Sequence, residues 1–149
     1  MEYEVLIIDA AFEQLGWAIR LFLDKKAYIA AITLAGAAEE ILGKVLTEPS
    51  AHQILKTQLA AKYAMSEKIV SDEHLNRARN WLKHGTKGTG GERIVFDPEE
   101  DAKHLILRYL INWSRQSGCD DVDPVRSEPE WVRVEAGRFH RWISEIRSD

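Results

Sequence analysis

The sequence predicts an all-α protein, an up-and-down bundle of five or six helices, and three observations carry that prediction. Apolar residues recur at steps of three and four along most of the chain; prolines and one glycine-rich loop separate the periodic stretches; no stretch alternates apolar and polar residues as a half-buried strand does. The 149 residues make one domain, and 45% hydrophobic with 30% charged residues is the balance of a folded globule.

The first helix follows from Val5, Ile8, Phe12, Leu15, Ile19 and Phe22, a stripe that runs to about Lys26. After a short turn, AYIAAITLAGAAEEILGKVL gives a second, with Ala31, Leu34, Ala38, Ile41, Leu42 and Val45 in one sector of the helical wheel. Pro49 interrupts, and Ser50 suits the N-cap of a third helix over 51–65. Ser71 or Asp72 is the expected N-cap of the fourth, which turns Leu75, Ala78 and Leu82 inward and stops at Gly85. The loop GTKGTGGERIVFD holds four glycines and is not helical, although ERIVFD suits a short extended piece. Asp97 as N-cap, Pro98 in the first turn and Glu99, Glu100 and Asp101 behind it open the next helix, whose buried face is Ala102, Leu105, Ile106, Tyr109, Leu110 and Trp113. Residues 1–118 are thus expected as the bundle. Beyond Gly118 an irregular acidic linker leads to a last helix, striped by Val132, Ala136, Phe139 and Ile143, so residues 119–149 are expected to pack on the same domain.

Composition excludes several classes of function. Acidic residues interrupt every apolar run before it reaches bilayer length, and MEYEV carries acids where a secretory leader carries cations, so a cytoplasmic protein without membrane contact is expected. The lone Cys119 makes no intrachain disulfide, and His52, His74, His104 and His140 lie on different segments without metal-ligand spacing; no metal and no cofactor is implied. A net charge of −4 argues against broad attraction to nucleic acid, yet Arg77, Arg79, Lys83, Lys87 and Arg93 concentrate cations over 77–93.

Within that basic stretch, RNWLKH places Arg79, Asn80 and His84 at the end of a helix. Asn76, Asn80 and His84 are successive i, i+4 neighbours, whereas Arg79 lies about 140° around the axis from His84, a gap the unwinding at Gly85 and a long arginine can close. An arginine fork fits a pair of phosphate oxygens, and a histidine can take a proton from a hydroxyl near neutral pH. The same two residues also suit the negative end of a helix dipole with no chemistry at all.

Arg79 and Asn80 followed by His84, on a late helix of an all-α domain of this length and after the small-residue, acid-bearing AITLAGAAEEILGKVL, resemble the HEPN family (higher eukaryotes and prokaryotes nucleotide-binding) over residues 1–118. That resemblance implies a homodimer in which two RxxxxH segments face each other to form a metal-independent endoribonuclease site acting on RNA. In it His84 would draw the proton from a ribose 2′-OH, Arg79 would steady the phosphoryl charge, and Asn80 would orient the imidazole. It further implies a toxin or phage-defence effector, with an antitoxin such as a nucleotidyltransferase-like protein as partner.

The remaining residues support this reading or stand apart from it. Glu39, flanking the apolar sector, is expected to pair with Arg79 at the edge of the core, and Glu40, on a strip with Gly36 and Gly43, is the weaker supporting acid or a solvated charge. Lys83 and Lys87 could touch an RNA backbone, although GTKGTGG lacks a phosphate-loop ending and also reads as a plain connector. The tryptophans read as packing residues, except that Trp81, inside the motif, could stack on a base or seal a dimer contact. Net acidity keeps a second possibility open, a non-catalytic HEPN-like module that binds a nucleotide or a partner protein. A scaffold in which RNWLKH only ends a helix is the third.

Overall fold

The computed structural model describes residues 2–46, 48–85, 91–117 and 128–147. Among them are seven α-helices and one π-helical segment, and they form six helical stretches: α1 (Ile7–Lys25), α2 (Tyr28–Val45), α3 (Ala51–Tyr63), a bent fourth stretch, α6 (Pro98–Ser117) and α7 (Glu130–Ile146). The fourth comprises a single turn, α4 (Glu67–Ile69), the π segment Val70–Leu75 and α5 (Arg77–His84). The all-α bundle expected from the periodicity is the fold.

α1 and α2 form a helical hairpin closed by Lys26, which takes the left-handed conformation, and α2 is packed between α1 and α6. The core joins Phe12, Leu15 and Ile19 of α1, Ile32, Ala35 and Leu42 of α2 and Ile106 and Tyr109 of α6, all buried. Small residues on α2, Ala31, Ala35 and Ala38, let its neighbours approach closely. α7 docks on α1 through Val132 and Phe139, and Phe139 stacks edge-on against Phe22.

At that seam Gly16 is required, because a Cβ there would overlap the ring of Trp131. Trp131 consequently lies 6.3 Å from Trp17, and the guanidinium of Arg20 stands 5.3 Å and 5.0 Å from the two ring centres. Arg20 also pairs with the buried Glu135 at 2.8 Å, and Arg138 joins Glu135 to Asp24. Trp113, Trp131 and Trp142 pack at the rim of the core, whereas Trp17 is exposed.

Two cap predictions hold. Ser50 accepts from the Gln53 backbone at 3.2 Å, and Asp97 accepts from Glu99 and Glu100 ahead of α6. The fourth stretch differs from expectation: its N-cap is Ser66, which accepts from Ile69 N, and Ser71 and Asp72 fall inside the π segment. The ERIVFD piece is irregular, with Phe96 turned to the core and Val95 exposed. Cys119 and most of the acidic linker lie outside the described residues. Among the described residues no helix is long and apolar enough to cross a membrane.

Candidate functional site

α5 is eight residues long and lies against α2. It is preceded by Asn76, whose φ of −126° and ψ of 11° break the helical path after the π segment, and followed by Gly85, whose φ of 61° with ψ of −132° is open only to glycine. Ala78 is its buried anchor, Leu82 packs at the core's edge, and Lys83 and His84 face outward.

Arg79 crosses to α2. Its aliphatic stem lies directly over Gly36, where a Cβ would stand 2.7 Å from Cδ and 2.8 Å from Nε, and its Nη2 is hydrogen-bonded to Glu40 Oε2. Glu40 also accepts from Lys44 Nζ at 2.9 Å and lies 3.4 Å from Lys83 Nζ. The Lys44 ammonium bonded to it, then Arg79 and Lys83 beside it, hold the Glu40 carboxyl down at about 2 against the opposing effect of partial burial. Three cations therefore surround one carboxylate, leaving two positive charges unbalanced at this spot. Arg79, Lys83 and Glu40, but not Lys44, border a pocket of about 180 Å³ whose other lining residues are Thr33, Ala37 and Leu82, so one positive charge stays unbalanced at its wall. A small anion-holding recess with an apolar wall is what this arrangement can offer.

The pairing of acids reverses the expectation. Glu40, not Glu39, takes Arg79, because Gly36 and Glu40 share the face of α2 over which α5 passes. Glu39 points inward and pairs at 3.1 Å with Arg108 of α6, both almost wholly buried. Arg108 Nη2 also donates to Asn76 Oδ1 at 2.9 Å, and Nη1 to the carbonyl of Leu75 at 3.3 Å. Burial, opposed by Glu39, draws the Arg108 pKa downward. Nearby, half-buried His52 of α3 sits 3.3 Å from Ser71 Oγ, its pKa lowered by burial and then by Arg108.

The sequence reading did not name Arg108. Its signal lay in the stripe Leu105, Arg108, Asn112, which puts two polar residues on the inward sector of α6, where a buried cation needs an acid on a facing helix. Asn112 has its own task, accepting the Ala51 backbone N–H at 2.6 Å to secure the start of α3.

Of the other expected site residues, His84 is exposed and does not line the pocket, and Asn80 is half-buried on the same helix. Trp81 donates from Nε1 to the Gly91 carbonyl at 3.0 Å, which ties the far end of the glycine loop back to α5. Lys87 lies outside the described residues. The structure thus gathers Arg79, Lys83 and Glu40 into one recess and leaves His84 on the same short helix, about 7.5 Å further along its axis. Among the described residues no three His, Cys, Asp or Glu side chains are grouped to hold a metal. No protein-family model, curated protein or solved structure matches the chain.

Proposed function

We propose that this protein is a metal-independent endoribonuclease of the HEPN type, acting from a site to which two copies of the chain each bring Arg79 and His84. One observation carries the reading: Arg79, immobilised over Gly36 by Glu40, borders a net-positive recess on the same helix that presents an exposed histidine at its end. A fixed guanidinium with Lys83 beside it suits the oxygens of a phosphodiester, whose charge grows as the ribose 2′-oxygen attacks. His84 takes the 2′-OH proton, the O2′–P bond forms as the P–O5′ bond breaks, and the departing 5′-oxygen takes a proton from water, so the cut leaves a 2′,3′-cyclic phosphate and a 5′-OH. On this reading the imidazole facing a bound phosphate comes from the second copy, which fits the exposed His84 lying outside the pocket that Arg79 borders.

That same separation favours a second reading, a module that holds a nucleotide or a partner protein without cutting. The two readings part on the product. On the first, Arg79→Ala and His84→Ala each lower RNA cleavage by at least about a hundredfold with an unchanged helical spectrum, EDTA has no effect, and the product ends in a cyclic phosphate. Parental rates in both variants would sink the nuclease. Nucleotide binding by calorimetry with no cyclic-phosphate product after long incubation would favour the module.

A further inference from the structure

We infer that Glu39, Arg108 and Asn76 are positioning residues of this site, fixing where α5 lies against α2 and so where Arg79 and His84 stand; the inference rests on the reading of those two as the reactive pair. α5 cannot hold its own place. At eight residues it is well short of the ~12–15 at which an isolated helix becomes even marginal, no side chain caps it, and the backbone that leads into it is broken at Asn76. Its direction must therefore come from contacts made by other elements.

Those contacts converge on the break. Arg108, 3% exposed, spreads its fork over three acceptors: Glu39 Oε2, Asn76 Oδ1 and the Leu75 carbonyl. A planar guanidinium bonded at both ends sets angles as well as distances. Buried ion pairs of this kind add little stability over well-packed apolar side chains, and their best-attested use is to select one arrangement among several.

Glu39 and Glu40 are consecutive, so their side chains leave α2 about 100° apart. One goes inward to Arg108 and through it to Asn76; the other goes outward to Arg79. A single turn of α2 thereby holds α5 at two places, through Arg108 at Asn76, just before its first residue, and directly at Arg79 three residues later. The outer contacts of Arg79 and Lys83 both end on Glu40 and alone would let α5 swivel about that one carboxylate; the second attachment, at Asn76, removes the swivel. His84, beyond both grips and without one of its own, depends on them for its direction.

The test uses the full-length chain with Asn76→Ala, which removes one acceptor and leaves Glu39 and Arg108 paired, and Asn76→Asp, which keeps an acceptor in place. Three quantities are read: the Arg79 Nε–H and His84 Cε1–H resonances, kcat and KM for RNA cleavage, and the melting curve. The inference expects Asn76→Ala to stay folded, to shift or broaden both resonances and to lower kcat by about tenfold or more with KM nearly unchanged, and Asn76→Asp to return all of these toward parental values. Parental resonances and kcat in Asn76→Ala would overturn it, and so would a loss that Asn76→Asp fails to repair. Should Asn76→Ala not fold, Glu39→Gln, which keeps an acceptor but weakens the grip on Arg108, is judged by the same criteria. If the parental protein cuts no RNA, the ribonuclease reading falls by itself, and the two resonances alone decide whether α5 is held as inferred.

Discussion

Gly36 is the residue on which the geometry of Arg79 turns. A methyl group there would meet the arginine stem first and push it off Gly36, and would also remove a glycine from a helix interior, a change that favours the helix by up to about 1 kcal/mol. Gly36→Ala is therefore expected to leave the melting temperature equal or raised while RNA cleavage falls about tenfold or more, a split that thermal melts and single-turnover cleavage on one preparation will reveal. Glu40 offers a second test. Its carboxyl is depressed to about 2 in the fold and sits near its ordinary value when unfolded, so the stabilisation from its ion pairs is complete above about pH 5 and disappears as pH falls through 2. The stability difference between the parental chain and Glu40→Gln, roughly 1 kcal/mol at pH 6 for pairs this open to solvent, should shrink over that window in acid titrations of urea unfolding. The strip of Gly36 and Glu40 was legible from their i, i+4 spacing. Which glutamate faced Arg79 was not, because that depended on Arg108 competing for Glu39 from 69 residues further along the chain.

Helix boundaries were readable wherever a cap and a period agreed, as at Ser50 and at Asp97 with Pro98. They were misread where the period itself changes. The Asn76 N–H bonds to the Ser71 carbonyl at 2.9 Å, five residues back, and a turn of that width shifts every later side chain off the 3.6-residue wheel. Ser66, ahead of the wide turn, is the residue that caps, while Ser71 and Asp72 resemble caps without acting as one. α3 carries a further prediction. Only Ala51 and Ala60 of this helix are buried, so its attachment leans on polar contacts: the bond from Ala51 N to Asn112 at its start, His52 against Ser71, and Thr57 and Lys56 on Glu67. Asn112→Ala leaves the Ala51 N–H buried and unpaired and should cost about 1–3 kcal/mol in urea unfolding, with the earliest loss of hydrogen-exchange protection in α3.

The molecule as a whole separates its stability from its candidate chemistry. The aromatic seam between α1 and α7 lies on one side of the bundle, and the recess of Arg79 is built on the α2 and α5 side. Phe139, fully buried against Phe22 and Trp142, should cost about 3–5 kcal/mol when cut to alanine, while cleavage per folded molecule stays at the parental value. A net charge of −4 with an unbalanced positive charge at one recess also means that affinity for a polyanion should be local and salt-sensitive, not spread over the surface. The docking of α7 could be read from its apolar stripe, but its partner could not, since nothing in the sequence pairs Gly16 with Trp131. That pairing gives the protein an optical gauge of its own. Two indoles 6.3 Å apart and inclined at 57° couple their excited states, so the seated C-terminal helix should announce itself as an exciton couplet in circular dichroism. When that helix lifts away the couplet vanishes and tryptophan emission moves to the red, which lets its departure be timed in unlabelled protein.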